Sequence, residues 1–139
     1  MTAGDAEIRT ILARLAHLAD AGEIDQYLSL FTDDAVWRMP ANPGIGLEAS
    51  ERRGVDAIAA GVRERRQAGV QGPGTATKHL VTTTAVRLDG PDTAVAESYW
   101  IFLVDTTSAP RIQSTGRYED TFRRTDDGWR LAVRSIELG

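Results

Sequence analysis

Apolar residues recur at three- and four-residue steps across residues 5–21, DAEIRTILARLAHLADA. Ile8, Ile11, Leu12, Leu15, Leu18 and Ala19 fall on one face, the spacing of an amphipathic helix. Asp5 is placed to cap its start and Gly22 to end it. A short second helix is expected from Ile24 to Leu30, with Ile24, Tyr27, Leu28 and Phe31 as its apolar side. TDDAVWRMP then reads as a turn followed by a strand that Pro40 ends. Residues 41–53 hold Pro43, Gly44 and Gly46 among mixed charges and read as loop. GVDAIAAGVRERRQA is a third helix, with Val55, Ile58 and Val62 on one face.

Beyond a Gly/Pro-rich loop, GVQGPGTAT, the period changes from helical to alternating. Strands are expected at about 78–88, 93–105, 111–125 and 128–138, separated by DGPD, TTSAP and TDDG. Helices followed by a run of antiparallel strands with short connections make an α+β fold, with the helices on one face of a curved sheet. Such a sheet leaves a concave pocket suited to a small molecule. No repeat or low-complexity segment divides residues 1–139, so one domain is expected.

Composition narrows the function. The net charge of −4 is spread along the chain with no basic stripe, against a nucleic-acid partner. No apolar run approaches the ~20 residues of a membrane helix. MTAGDAEIRT is too polar for a secretory signal. The chain has no cysteine, which removes disulfides, thiolate metal sites and a cysteine nucleophile, and fits a cytoplasmic location. Its two histidines, His17 and His79, lie far apart, so no histidine metal cluster is expected. His79 opens the strand ATKHLVTTTAV; by itself it reads as a core histidine bonded to a backbone carbonyl.

Two longer stretches resemble a known family. LADAGEIDQYLSLFTDDAVW resembles the opening, and GRYEDTFRRTDDGWRLAVRSIEL the closing hairpin, of the SnoaL-like branch of the nuclear transport factor 2-like superfamily. The resemblance spans nearly the whole chain. It implies a cone-shaped α+β barrel, a curved antiparallel sheet wrapped around N-terminal helices with a deep pocket at its wide end, and a homodimer. It also implies roles for three residues. Asp20 and His79 match the catalytic aspartate and histidine of scytalone dehydratase, bile acid 7α-dehydratase and hexachlorocyclohexane dehydrochlorinase. Arg134, in AVRSI, matches a pocket arginine of some of these. The chain departs from them in having Leu15 where some carry Tyr or Lys, and an apolar residue near Val104 where scytalone dehydratase has a second histidine.

The pair makes chemical sense. Imidazole exchanges protons near neutral pH. A carboxylate on one ring nitrogen fixes the tautomer and leaves the other nitrogen as a base. Arg134 would stabilise an enolate or a departing anion. A carboxylate at a helix C-terminus opposes the helix dipole, which suggests another purpose for Asp20. With His79 turned inward, alternation brings Val81 and Thr83 inward too. The resemblance puts Ser98, Trp100, Phe102 and Val104 on the same side, with Ser114, Gly116 and Tyr118 facing them. Glu97 and Tyr99 then face outward, and Phe31 and Trp37 close the narrow end. His17 is expected to be structural, DD at 33–34 and TDDG at 125–128 to be turn residues, and RERR at 63–66 the solvated end of the third helix. GPG at 72–74 lacks a phosphate-loop context and reads as a hinge or lid.

The expectation is a cofactor-independent lyase or isomerase, dehydratase- or cyclase-like, acting on a hydrophobic small molecule. Its alternatives are a non-catalytic binding module on the same fold and a small subunit resembling the β subunit of ring-hydroxylating dioxygenases.

Overall fold

The computed structural model describes residues 2–43 and 48–139. Helix α1 runs from Ala3 to Ala21 and buries Ile8, Ile11, Leu12 and Leu15, the stripe that its periodicity marks. Its cap is Thr2, whose hydroxyl accepts from the Asp5 N–H at 3.0 Å. Asp5, expected as the cap, lies in the first turn, where it suits the helix dipole and pairs with Arg9 one turn on. Gly22 ends the helix as expected, donating its N–H to Leu18 O. Arg66 reaches across to donate to Leu18 O at 3.0 Å and so supplies the cation that the last turn of α1 lacks.

Helix α2 covers Ile24–Leu28, two residues shorter than expected. Strand β1 follows at Phe31–Met39, so Phe31 belongs to the strand and TDD is already extended. Residues 50–53, expected as loop, form strand β2 (Ser50–Arg53), antiparallel to β1 from Met39↔Ser50 to Val36↔Arg53. This edge strand is short, charged and mostly exposed, so no apolar alternation announced it. Gly44 and Gly46 lie outside the described residues. Helix α3 (Val55–Gln67) buries Ile58 and Val62. Strands β3 (Lys78–Leu88), β4 (Thr93–Val104), β5 (Arg111–Thr125) and β6 (Gly128–Leu138) agree closely with the predicted spans.

The six strands among the described residues form one curved, unclosed sheet in the order β2-β1-β6-β5-β4-β3. The β1–β6 pair is parallel, an exception to the expected antiparallel run; the two strands are far apart in sequence, so no hairpin sets their relative direction. Bulges bend the sheet: Thr82↔Tyr99 is followed by Ala85↔Glu97 in β3, and Phe102↔Ser114 by Leu103↔Ile112 in β5. Thr83, in the first bulge, has φ +54°, and Arg9 Nη1 ties α1 to it through Thr84 O at 3.0 Å.

Among the described residues two hydrophobic clusters result. The larger joins α1, α2 and α3 to the sheet through residues such as Ile8, Ile58, Phe122, Trp129 and Leu131. The smaller comprises Trp100, Phe102, Val104 and Tyr118. Among the described residues no helix is long and apolar enough to cross a membrane.

Candidate active site

A cavity of about 460 Å³ lies between the two clusters, within the range typical of small-molecule sites. Leu15, Tyr27 and Trp37 line it from the larger cluster, and Trp100, Phe102 and Tyr118 from the smaller. Val70, Gln71, Asn42 and Ser50 contribute from the connecting segments and the β2 edge.

The last turn of α1 meets the first residues of β3 at the cavity wall. Both carboxylate oxygens of Asp20 accept from the backbone N–H of His79, at 3.2 and 3.0 Å, and Oδ1 stands 2.7 Å from His79 Nδ1. The side chains are largely enclosed, 15% exposed for His79 and 13% for Asp20. An ionised carboxylate can only accept, so Nδ1 carries the hydrogen and neutral His79 keeps its lone pair on Nε2. The ring packs 4.7 Å from that of Phe102, its register partner on β4, and lines the cavity.

Arg134 is not a surface residue. It is 4% exposed and forms a two-pronged pair with Asp120, itself 0% exposed: Nε to Oδ1 at 2.8 Å and Nη2 to Oδ2 at 2.9 Å. The two residues face each other across β5 and β6. Burial works against the Arg134 charge, but the Asp120 carboxylate outweighs it and holds the guanidinium more firmly protonated than a free arginine. Its carbon centre lies 3.7 Å from the Tyr118 ring centroid and 5.7 Å from that of Trp37. Burial pushes the Tyr118 phenol up to about 12, so at working pH it is a hydrogen-bond donor and not a base. Tyr27 is raised in the same direction by the same cause.

A second guanidinium shares Trp37. Arg65, on α3, lines the cavity with its carbon centre 5.7 Å from the same ring. RERR therefore divides: Arg63 and Glu64 are exposed, while Arg65 and Arg66 turn inward. Ile58, Val62 and Arg65 follow a four-then-three spacing, so the helical period carried the signal. Asp120 was equally readable, since alternation puts it on the inward face with Tyr118 and Phe122.

Leu15, Trp37, Val81, Trp100, Phe102, Tyr118, His79 and Arg134 line the cavity, and Asp20 stands behind His79. Thr83 does not line it; the bulge turns this residue to the exposed side. Ser98 and Val104 are buried but do not line it; Val104 packs beneath in the smaller cluster. Ser114 lines it, whereas Gly116 lies under the Trp100 ring. Tyr99 is exposed, and Glu97 pairs with Arg117 on the outer face. His17 is exposed. Among the described residues no three His, Cys, Asp or Glu side chains are grouped to hold a metal ion.

A comparison with curated protein sequences gives no significant match. Solved structures give many. A nuclear transport factor 2-like protein with a cystatin-like fold from Novosphingobium aromaticivorans is 25% identical, with a TM-score of 0.82 over 97% of this chain and 81% of that one. A protein from Catenulispora acidiphila in complex with S-DNPA is also 25% identical, with a TM-score of 0.76 over 96% of this chain and 91% of that one. The β subunit of a protein described as an aromatic-ring-hydroxylating dioxygenase, from Novosphingobium aromaticivorans, is 20% identical, with a TM-score of 0.73 over 94% and 86%. At that identity the likeness is one of fold. The SnoaL-like domain model matches residues 2–135, nearly the whole sequence, and the chain belongs to that family.

Proposed function

We propose that the protein is a cofactor-independent lyase or isomerase, dehydratase- or cyclase-like, acting on a hydrophobic small molecule held in the cavity. The observation that carries this reading is the 2.7 Å contact between Asp20 Oδ1 and His79 Nδ1 at the wall of an aromatic-lined cavity. His79 Nε2 removes a proton from a carbon beside a carbonyl. Asp20 fixes the tautomer and stabilises the imidazolium that forms. Tyr118, a phenol at every working pH, donates to the developing enolate oxygen, and Arg134 beside it supplies positive charge. The imidazolium then returns its proton, either to a leaving hydroxyl, which departs as water, or to another carbon, which isomerises the ligand. These proton transfers need only the residues present.

The apolar wall of Leu15, Val81, Trp100 and Phe102 also favours a second reading, a binding module that holds its ligand unchanged. The relative from Catenulispora acidiphila holding S-DNPA supports a ligand cavity under either reading. Incubation with a panel of hydrophobic hydroxy-ketones, followed by chromatography and mass spectrometry, separates the two. Loss of water or an isomer of unchanged mass, abolished by His79→Ala, is the outcome of catalysis. Ligand recovered intact from wild type is the outcome of binding alone.

A further inference from the structure

Among the described residues, the charges of the cavity wall are paired with one exception. Arg134 faces Asp120 and His79 faces Asp20. Arg52 holds Glu64 at 2.7 Å. Arg65 has no carboxylate within ion-pair distance among the described residues. The remaining residues, Met1 and 44–47, have no acidic side chain. A half-buried guanidinium without an anion is costly, and burial lowers the pKa of Arg65. The face of Trp37 offsets part of that cost. It supplies no hydrogen-bond acceptor for the five N–H groups.

We propose that Arg65 is the anchor for a carboxylate on the ligand, so that the protein selects hydrophobic acids over their neutral analogues. A guanidinium on an aromatic face matches a carboxylate in two-pronged geometry. The inference deepens the proposed function and depends on the ligand cavity described there. It also sets the ligand's placement. Trp37 is on β1 and His79 on β3, four strand spacings of about 4.8 Å apart across a curved sheet. The acid group and the reacting carbon of the ligand therefore meet different strands of the cavity wall, with β6, β5 and β4 between those strands. Arg65 positions the ligand and does not touch the bond that changes.

The test compares 2-naphthylacetate with 2-naphthylacetamide, which share a ring system and differ in charge. Binding is followed by calorimetry and by fluorescence of the cavity tryptophans. Wild type should bind the acid about tenfold or more tightly than the amide. Arg65→Gln should abolish that preference while leaving amide binding in place, which also shows that the cavity is intact. Arg65→Lys should retain part of the preference. An acid bound no better than the amide, including the case where neither binds, overturns the inference, as does a preference that survives Arg65→Gln. The two proposals fail separately. A protein that keeps the preference but performs no proton transfer is an anion-binding module, whereas one that transfers protons without the preference loses only the Arg65 anchor.

Discussion

Asp20 holds His79 twice, by the backbone N–H and by ring Nδ1, so a residue on α1 fixes both the position of β3 and the tautomer of the imidazole. Asp20→Asn keeps the shape but replaces one acceptor oxygen with a donor amide. In long-range proton–nitrogen NMR spectra, wild-type His79 should show a protonated Nδ1 and a bare Nε2. In Asp20→Asn the spectrum should shift towards a tautomer mixture, and turnover should fall about 10²- to 10⁴-fold. An unchanged tautomer would mean that the carboxylate does not set it.

The Arg134–Asp120 pair is buried, so removing one partner strands the other. Arg134→Met should cost about 3–5 kcal/mol of stability in urea denaturation. The double variant Arg134→Met with Asp120→Leu should recover much of that loss, because no charge is then left uncompensated. Equal losses in single and double variants would show that packing, not charge, dominates here.

Gly116 is needed for a close approach. A Cβ there would lie 1.9 Å from Glu137 O and 2.5 Å from the Trp100 ring. The carbonyl is backbone and cannot step aside. Gly116→Ala should destabilise the protein by about 1–3 kcal/mol and displace Trp100 from the cavity floor. Chemical denaturation and the near-ultraviolet dichroism of the tryptophans measure the two effects.

The Tyr118 phenol predicts a loss of stability in alkali. Its folded pKa of about 12 exceeds the ordinary value of 10.0, so the folded state holds the proton more tightly. The contribution is complete below pH 10. It declines as the unfolded chain ionises first and is gone above pH 12, a loss of roughly 2–3 kcal/mol. Denaturation midpoints at pH 9 and 11.5 should show this fall, and Tyr118→Phe should reduce it. Tyr27, also raised by burial, accounts for part of what remains.

Much of this architecture was legible in the chain. The 3-and-4 spacing of α1 and the alternation of β3 to β6 are strong signals, because each element has one buried face. Strand β2 was not legible: four mostly exposed polar residues acquire their conformation only by pairing with β1. Thr83 faces away from the cavity because an extra residue enters β3, and alternation assumes an unbroken ladder. Asp20 and His79 came from resemblance, since 59 residues separate them and no local pattern joins them. Arg65 and Asp120 were obscured by charge. Each sits at an inward-facing position of its element, yet Arg65 was expected at the solvated end of the third helix and Asp120 was not singled out.

The most direct test of the central claim is solvent deuterium uptake by a bound hydrophobic β-hydroxy ketone in heavy water, because it reads proton removal whether or not product accumulates. Wild type should incorporate deuterium at the carbon beside the carbonyl. Asp20→Asn should do so far more slowly, and His79→Ala should fall to the rate without protein while still binding the ketone. Uptake by His79→Ala at the wild-type rate would contradict the assignment of His79 as the base.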